Sequence, residues 1–179
     1  GGKTMSGLTS RTKSFFVCLY FIRPIGAYFS LFHIVHMVKL KIITASTRPG
    51  RKGPSISHWI LEKAKQHPEF DVELLDLAVI NLPMMDEPEH PRLKKYHHDH
   101  TKSWSATIDG ADAFIMVTPE YNYSMPAPLK NAIDYLFHEW AYKPVAFVSY
   151  GGMSGGIRSV QMLKQVATTL KMMPLVESL

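Results

Sequence analysis

The chain has 179 residues, 46% hydrophobic and 20% charged, which bounds one globular domain with a sizeable core and excludes a disordered chain. Its formal charge of +5 is concentrated in residues 1–36, which carry Lys3, Arg11, Lys13 and Arg23 and no acid, whereas residues 37–179 hold 16 basic and 15 acidic side chains. That near balance removes the basic face a nucleic-acid partner would need, and the single cysteine, Cys18, excludes an internal disulfide framework or a cysteine-based metal site.

In chain order, residues 1–36 read as a leader outside the fold. Phe15–Val35 is strongly apolar, but Arg23-Pro24 interrupts it, and a membrane-spanning run of about 20 residues seldom tolerates both. A signal anchor or organelle-targeting segment is one reading; a non-native or mis-started leader is the other and is favoured, because Met37 followed by Val38–Ile43 looks like a natural start. The expected organisation is therefore a leader over 1–36 and one domain over 37–179.

Within that domain, strands and helices alternate. A strand over Lys39–Ala45 leads to a helix over Ile56–His67, with Ile56, Ile60, Leu61 and Ala64 near one face. A second strand covers Asp71–Leu77, opened by Phe70. Prolines 83, 88 and 91 then forbid a long helix, and a helix is expected over Leu93–Asp109. A third strand, Ala113–Val117, is apolar on both faces, the habit of parallel sheets. Beyond it Leu129, Ala132, Ile133, Leu136, Phe137 and Trp140 recur at helical spacing. A fourth strand over Pro144–Ser149, a helix over Ile157–Lys171 and a last strand over Leu175–Leu179 complete an α/β pattern of strand–helix–strand crossovers and a parallel sheet. A doubly wound domain normally adds a helix over that edge, so a truncated end is expected.

Three loops carry the chemistry. Ser46-Thr-Arg-Pro-Gly-Arg-Lys-Gly-Pro-Ser55 puts hydroxyls, three cations and two glycines at a helix amino end, which suits a phosphate monoester. It lacks both the Gly-x-Gly-x-x-Gly of a dinucleotide site and the Gly-Lys-Ser/Thr of a P-loop. Thr118–Met125 follows the buried third strand with two tyrosines, an asparagine and a serine but one charge, which suits a flat, uncharged, hydrogen-bonding ring such as a flavin. Pro119 would hold the amides of Tyr121, Asn122 and Tyr123 in place. Tyr150-Gly-Gly-Met-Ser-Gly-Gly156 has four glycines in six positions, so its backbone can approach a ligand closely. Each loop alone admits a plain alternative: a basic loop with Ser55 as N-cap, tyrosines that merely pack, and a flexible turn. All three, however, follow core strands at one edge of the sheet, where open α/β sheets bind ligands.

Ser46-Thr-Arg-Pro-Gly-Arg, Pro119-Glu-Tyr-Asn-Tyr-Ser-Met-Pro with Leu129-Lys-Asn-Ala-Ile-Asp-Tyr135, and Ser149-Tyr-Gly-Gly-Met-Ser-Gly-Gly156 together resemble the NADPH-dependent FMN reductase family, over about residues 38–179. The resemblance implies a flavodoxin-like, doubly wound parallel sheet of order 2-1-3-4-5, with FMN at the switch between strands one and three. It implies that Ser46, Arg48, Ser55 and Ile56 hold the phosphate. Pro119, Glu120, Tyr121, Asn122 and Ser124 line the isoalloxazine, and Tyr150, Gly151 and Gly152 close its far edge. Tyr123 departs from the pattern, standing where family members often have a small residue or histidine.

The implied activity is hydride transfer from NADPH or NADH through FMN to a small-molecule electron acceptor (quinone, azo compound, metal ion or free flavin) by a ping-pong mechanism, with no catalytic side chain. The alternative is a flavin-bound electron carrier or regulatory flavoprotein with little turnover. A homodimer or homotetramer and a cytoplasmic location are expected, with organelle targeting or a membrane tether through 1–36 as the alternative. Tyr96-His-His-Asp-His100 places His97 and His100 three apart on the expected helix. Two histidines among lysines read as a solvated face or a substrate-facing rim, and no metal is expected. Met84-Met85 reads as core filler.

Overall fold

The computed structural model describes residues 37–179, so everything expected of the leader lies outside the described residues. The strands are β1 (Val38–Thr44), β2 (Phe70–Asp76), β3 (Ala113–Pro119), β4 (Pro144–Tyr150) and β5 (Met173–Ser178). The helices are α1 (Gly53–Ala64), the single turn α2 (Leu77–Ile80), α3 (Asp99–Asp109), α4 (Ala127–Asp134) and α5 (Ile157–Thr169). The described residues form one sheet, ordered β2-β1-β3-β4-β5 with every pair parallel, the flavodoxin-like arrangement.

β3 is buried at all 7 positions because it lies between two helical layers. Strand alternation sends Phe114 and Met116 into the layer with α3, α4 and α5, and Ala113, Ile115 and Val117 into the layer with α1. In the first layer the Trp140 ring lies 5.0 Å from that of Phe114, and its indole N–H donates to the Ile133 carbonyl. The apolar stripe from Leu129 to Trp140 is therefore consumed by the core. Leu129, Ala132, Ile133, Leu136 and Trp140 are all buried, and Phe137 is half-buried against them.

Three of the expected boundaries shift because a side chain competes for backbone groups. The helix expected from Leu93 begins only at Asp99. Pro91–Leu93 forms a 3-10 turn, Lys94 adopts φ 53°, and the Glu87 carboxylate accepts the amides of His97 (2.8 Å) and His98 (3.0 Å). His97 is thus off the helix, and the expected His97–His100 pair on one helical face does not form. The helix after β3 stops at Asp134. Glu139, fully buried, accepts from Ser105 Oγ and the Phe137 amide, and Phe137 leaves helical geometry at φ −136°. Trp140 still reaches the core from a 3-10 turn over His138–Trp140. At β2, Asp76 caps α2 by accepting the Ala78 amide, so Leu77 begins a helix rather than ending a strand. Among the described residues no helix is long and apolar enough to cross a membrane.

Candidate functional site

The loop after β1 is braced from below. The Arg51 guanidinium pairs in a bidentate manner with Asp76 at the end of β2 (2.5 and 2.8 Å) and also donates to the Ser46 carbonyl. Burial pushes the Asp76 carboxyl up, but the Arg51 and Ala78 hydrogen bonds outweigh it and hold the group below the usual carboxylate range. Thr44 Oγ1 donates to Ser57 Oγ (2.6 Å), tying β1 to α1. Gly53 opens α1 where no side chain fits: a Cβ there would strike Ser46 Oγ and come within 3.0 Å of the Tyr150 hydroxyl. The Ser46 and Tyr150 hydroxyls lie buried side by side without a well-aligned partner. Arg48, Lys52 and Ser55 are exposed at the loop, and Ile56 is half-buried in the first turn of α1. An orphaned buried hydroxyl, two solvent-facing cations and a helix amino end fit a phosphate.

The tyrosine expected at the far edge of a ring thus points elsewhere. Strand alternation turns Tyr150 to the α1 face, across β3, and burial there raises its phenol pKa.

The loop after β3 is a tight reversal. Tyr121 and Ser124 exchange both backbone hydrogen bonds (2.9 and 3.0 Å), which forces Asn122 to φ 48° and Tyr123 to φ 74°. Glycine or asparagine usually occupies such positions; a tyrosine there is strained by about 1–2 kcal/mol. The Tyr121 and Ser124 amides are used within the turn, which leaves the amides of Asn122 and Tyr123 at its tip. This corrects the expectation that the Tyr121 amide faces a ligand. Pro119 ends β3 opposite Tyr150, and the Glu120 amide donates to the Tyr150 carbonyl.

The glycine-rich loop after β4 folds back on its own strand. Gly156, at φ 90°, lies so close to Ser149 that a Cβ would come within 2.7 Å of it. Ser149 Oγ donates to the Gly155 carbonyl (3.0 Å). Glu120 reaches over from the β3 loop and accepts from Ser154 Oγ (2.5 Å), the Arg158 amide (3.2 Å) and Arg158 Nη1 (3.3 Å). The Ser154 hydrogen bond, opposed by burial but joined by the Arg158 amide and charge, holds the Glu120 carboxyl below the usual range. A Cβ on Gly151 would sit 3.4 Å from that of Glu120, so the two loops touch, while Gly152 has open space beside it.

The loop after α2 does not fill the core. Met84 is 76% exposed and Met85 39%, so neither fills the core. Their loop is tied to α4 instead: Asn131 donates to the Pro83 carbonyl and accepts the Met85 amide, and the Tyr135 hydroxyl donates to Asp86 (2.9 Å). His100 completes this anchor with a 2.9 Å contact to Asp86, and its ring stacks on that of His98. Asn131 and Tyr135 belong to the helical motif, but periodicity alone gives no sign that a loop some 50 residues earlier leans on them. Among the described residues no group of three or more potential ligands could hold a metal ion.

A parallel 2-1-3-4-5 sheet whose β1, β3 and β4 loops crowd one edge at the switch point defines a flavodoxin-like α/β protein. A family model described as NADPH-dependent FMN reductase matches residues 38–179. The chain is 47% identical over 136 residues to an NAD(P)H-dependent FMN reductase of Schizosaccharomyces pombe, covering 75% of this chain and 68% of that one. It is 45% identical over 109 residues to an NADPH:quinone oxidoreductase of Arabidopsis thaliana, covering 58% and 52%. In fold it is similar to the NAD(P)H:(acceptor) oxidoreductase FerB of Paracoccus denitrificans, with TM-score 0.62, 22% identity and coverage of 78% and 75%. The chain belongs to the NADPH-dependent FMN reductase family and is an oxidoreductase of that kind.

Proposed function

We propose that the chain binds FMN at the β1–β3 switch and transfers two electrons from NADPH or NADH to a small-molecule acceptor of the quinone class. In this reading Ser46, Arg48, Ser55 and the first turn of α1 at Ile56 hold the phosphate. Pro119, Glu120, Tyr121, Asn122 and Ser124 form the ring wall, through the amides of Asn122 and Tyr123 at the tip of the turn. Gly151 and Gly152 border the ring with backbone alone, and Tyr150 supports the phosphate side from beneath. The observation that carries the proposal is the buried Ser46 hydroxyl, beside that of Tyr150 at the amino end of α1, on the same sheet edge as the left-handed turn of the β3 loop.

The chemistry that FMN supplies when bound is two-electron transfer between the nicotinamide and the acceptor. The protein's part is binding and orientation, which needs rigid walls rather than a nucleophile. Tyr121, Tyr123, Met84 and Met153 expose apolar surface in loops on the same edge, which favours a flat, weakly polar acceptor over a metal ion. Donor and acceptor would use this mouth in turn, giving ping-pong kinetics.

The test is direct. Purified protein supplied with FMN is expected to retain flavin absorbance, to bleach anaerobically with NADPH or NADH, and to recover colour with a quinone. Initial-rate lines are expected to be parallel; intersecting lines would remove the ping-pong scheme. Protein that takes up no FMN would refute the reading as a whole.

A further inference from the structure

The only acid in the ring loop does not face the loop's opening. The Glu120 side chain is 10% exposed and its oxygens are engaged by Ser154 Oγ, the Arg158 amide and Arg158 Nη1. Thus oriented, the Arg158 guanidinium lies over the Tyr123 ring, with Cζ 4.5 Å from the centroid. Tyr123 is the residue that the turn holds at φ 74°, beside Asn122 at 48°. The hydrogen-bonded pair Tyr121–Ser124 closes the turn but does not fix where the Tyr123 ring lies; the stacked guanidinium does.

We propose that Glu120 and Arg158 are positioning residues that hold the left-handed Asn122–Tyr123 turn, and with it the backbone amides at its tip. The inference rests on the FMN reading for what those amides serve, although the clamp itself is a property of the protein. A planar guanidinium can pair with a carboxylate along its edge and stack on a ring with its face, whereas an ammonium cannot do both. The clamp also crosses from the β4 loop to the β3 loop, so the two expected walls of the ring are fixed relative to each other.

A device that compensates strain at Tyr123 becomes unnecessary when the strain is removed. Glycine adopts positive φ without penalty, so Tyr123→Gly is expected to make Arg158 dispensable. A surface ion pair with no positioning role would show no such dependence.

The experiment uses the full chain and the variants Arg158→Met, Arg158→Lys, Glu120→Gln, Tyr123→Gly and Tyr123→Gly/Arg158→Met, with folding checked by Tm. In flavin-free protein, hydrogen exchange of a peptide spanning 119–126 is expected to speed up about two- to five-fold in Arg158→Met, Arg158→Lys and Glu120→Gln. With FMN, the Kd from flavin fluorescence quenching is expected to rise by about the same factor in those variants. In both measurements the double variant is expected to match Tyr123→Gly alone. The inference is overturned if Arg158→Met and Arg158→Lys exchange at the wild-type rate, or if Arg158→Met costs as much on the Tyr123→Gly background as on wild type. If wild-type protein takes up no FMN, the FMN reading falls, and the exchange comparison still decides the clamp.

Discussion

The loop after β1 and the loop after β3 both end a buried strand at the same sheet edge, yet they keep their shapes by opposite means. The first is braced from outside itself, by a bidentate ion pair reaching in from β2 and by a glycine packed against two buried hydroxyls. None of its side-chain-bearing residues has positive φ. The second carries two non-glycine residues at positive φ and is held by its own Tyr121–Ser124 hydrogen-bond pair, one arginine face and a carboxylate. A phosphate cradle needs only fixed charge and depth, so it can be built rigidly into the core. A ring wall must present particular amides, and their direction comes from unfavourable backbone torsion. The first loop should therefore fail by steric or electrostatic disruption, and the second by relaxation.

The largest expected effect is steric. Gly53→Val places atoms where Ser46 Oγ, Tyr150 and Thr44 already sit. A loss of at least about 100-fold in FMN affinity, near 2.7 kcal/mol, is expected together with a lowered Tm. Gly152→Ala in the glycine-rich loop meets nothing within 4 Å and is expected to leave Tm unchanged. Fluorescence quenching and thermal unfolding check both. Equal Tm losses would end the claim that the contacts around Gly53 lock the first loop.

Next comes charge. Asp76→Asn leaves Arg51 half-buried without its anionic partner. The expected loss of stability is about 2 kcal/mol, below the 3–5 of a fully buried pair because the side chains keep 18% and 21% of their surface in water. The pH dependence has a definite sign. The folded-state pKa of Asp76 is depressed, so its contribution is complete above the unfolded value near 3.9 and is lost as pH falls through the folded value. The stability gap between wild type and Asp76→Asn is expected to be flat above about pH 5 and to close below pH 4, as read by urea denaturation. A gap that did not narrow at all as pH falls below 4 would mean that the carboxylate's charge is not what braces the loop.

The difference between the loops also explains what could be read in sequence. The buried strand Ala113–Val117, the breaker Pro119 and the glycines after β4 were legible because each is a local rule about burial or backbone torsion. The reach of Tyr150 across β3 to Ser46 was not, since it depends on which strands are neighbours. Arg51 could be counted as a loop cation, but not known to be committed to Asp76, 25 residues on. Glu120 was visible as part of a motif, while its engagement by Ser154 and Arg158 required the two loops to be folded together. The early start of the helix after Pro91 failed for the same reason: Glu87 captures the amides of His97 and His98 from a loop that periodicity cannot place.

A smaller effect separates binding from folding in the first loop. Ser46→Ala deletes a buried hydroxyl whose neighbour is the Tyr150 hydroxyl, with no well-aligned hydrogen bond between them. Stability is expected to hold or rise slightly, because an unsatisfied buried group is removed. The FMN Kd is expected to rise about ten-fold, the worth of one hydrogen bond to a charged phosphate. A fall in Tm without a change in Kd would reassign Ser46 to the core.

The smallest effect belongs to the strained turn, and its value lies in a difference. Tyr123→Gly releases about 1–2 kcal/mol of left-handed strain but adds unfolded-state freedom of about 0.5–1 kcal/mol. In wild type it also forfeits the stacking of Arg158, worth about 0.5–1 kcal/mol at such an exposed site. These contributions nearly cancel, so the change in stability on the wild-type background is expected to lie within about 1 kcal/mol of zero. With Arg158→Met already in place there is no stacking to lose, and the same substitution is expected to be more favourable by about 0.5–1 kcal/mol. Thermal unfolding of the four proteins in this cycle measures that difference directly. A coupling of zero would show that Arg158 and Tyr123 are neighbours without energetic connection, and the contrast between a braced loop and a strained, clamped one would lose its second half.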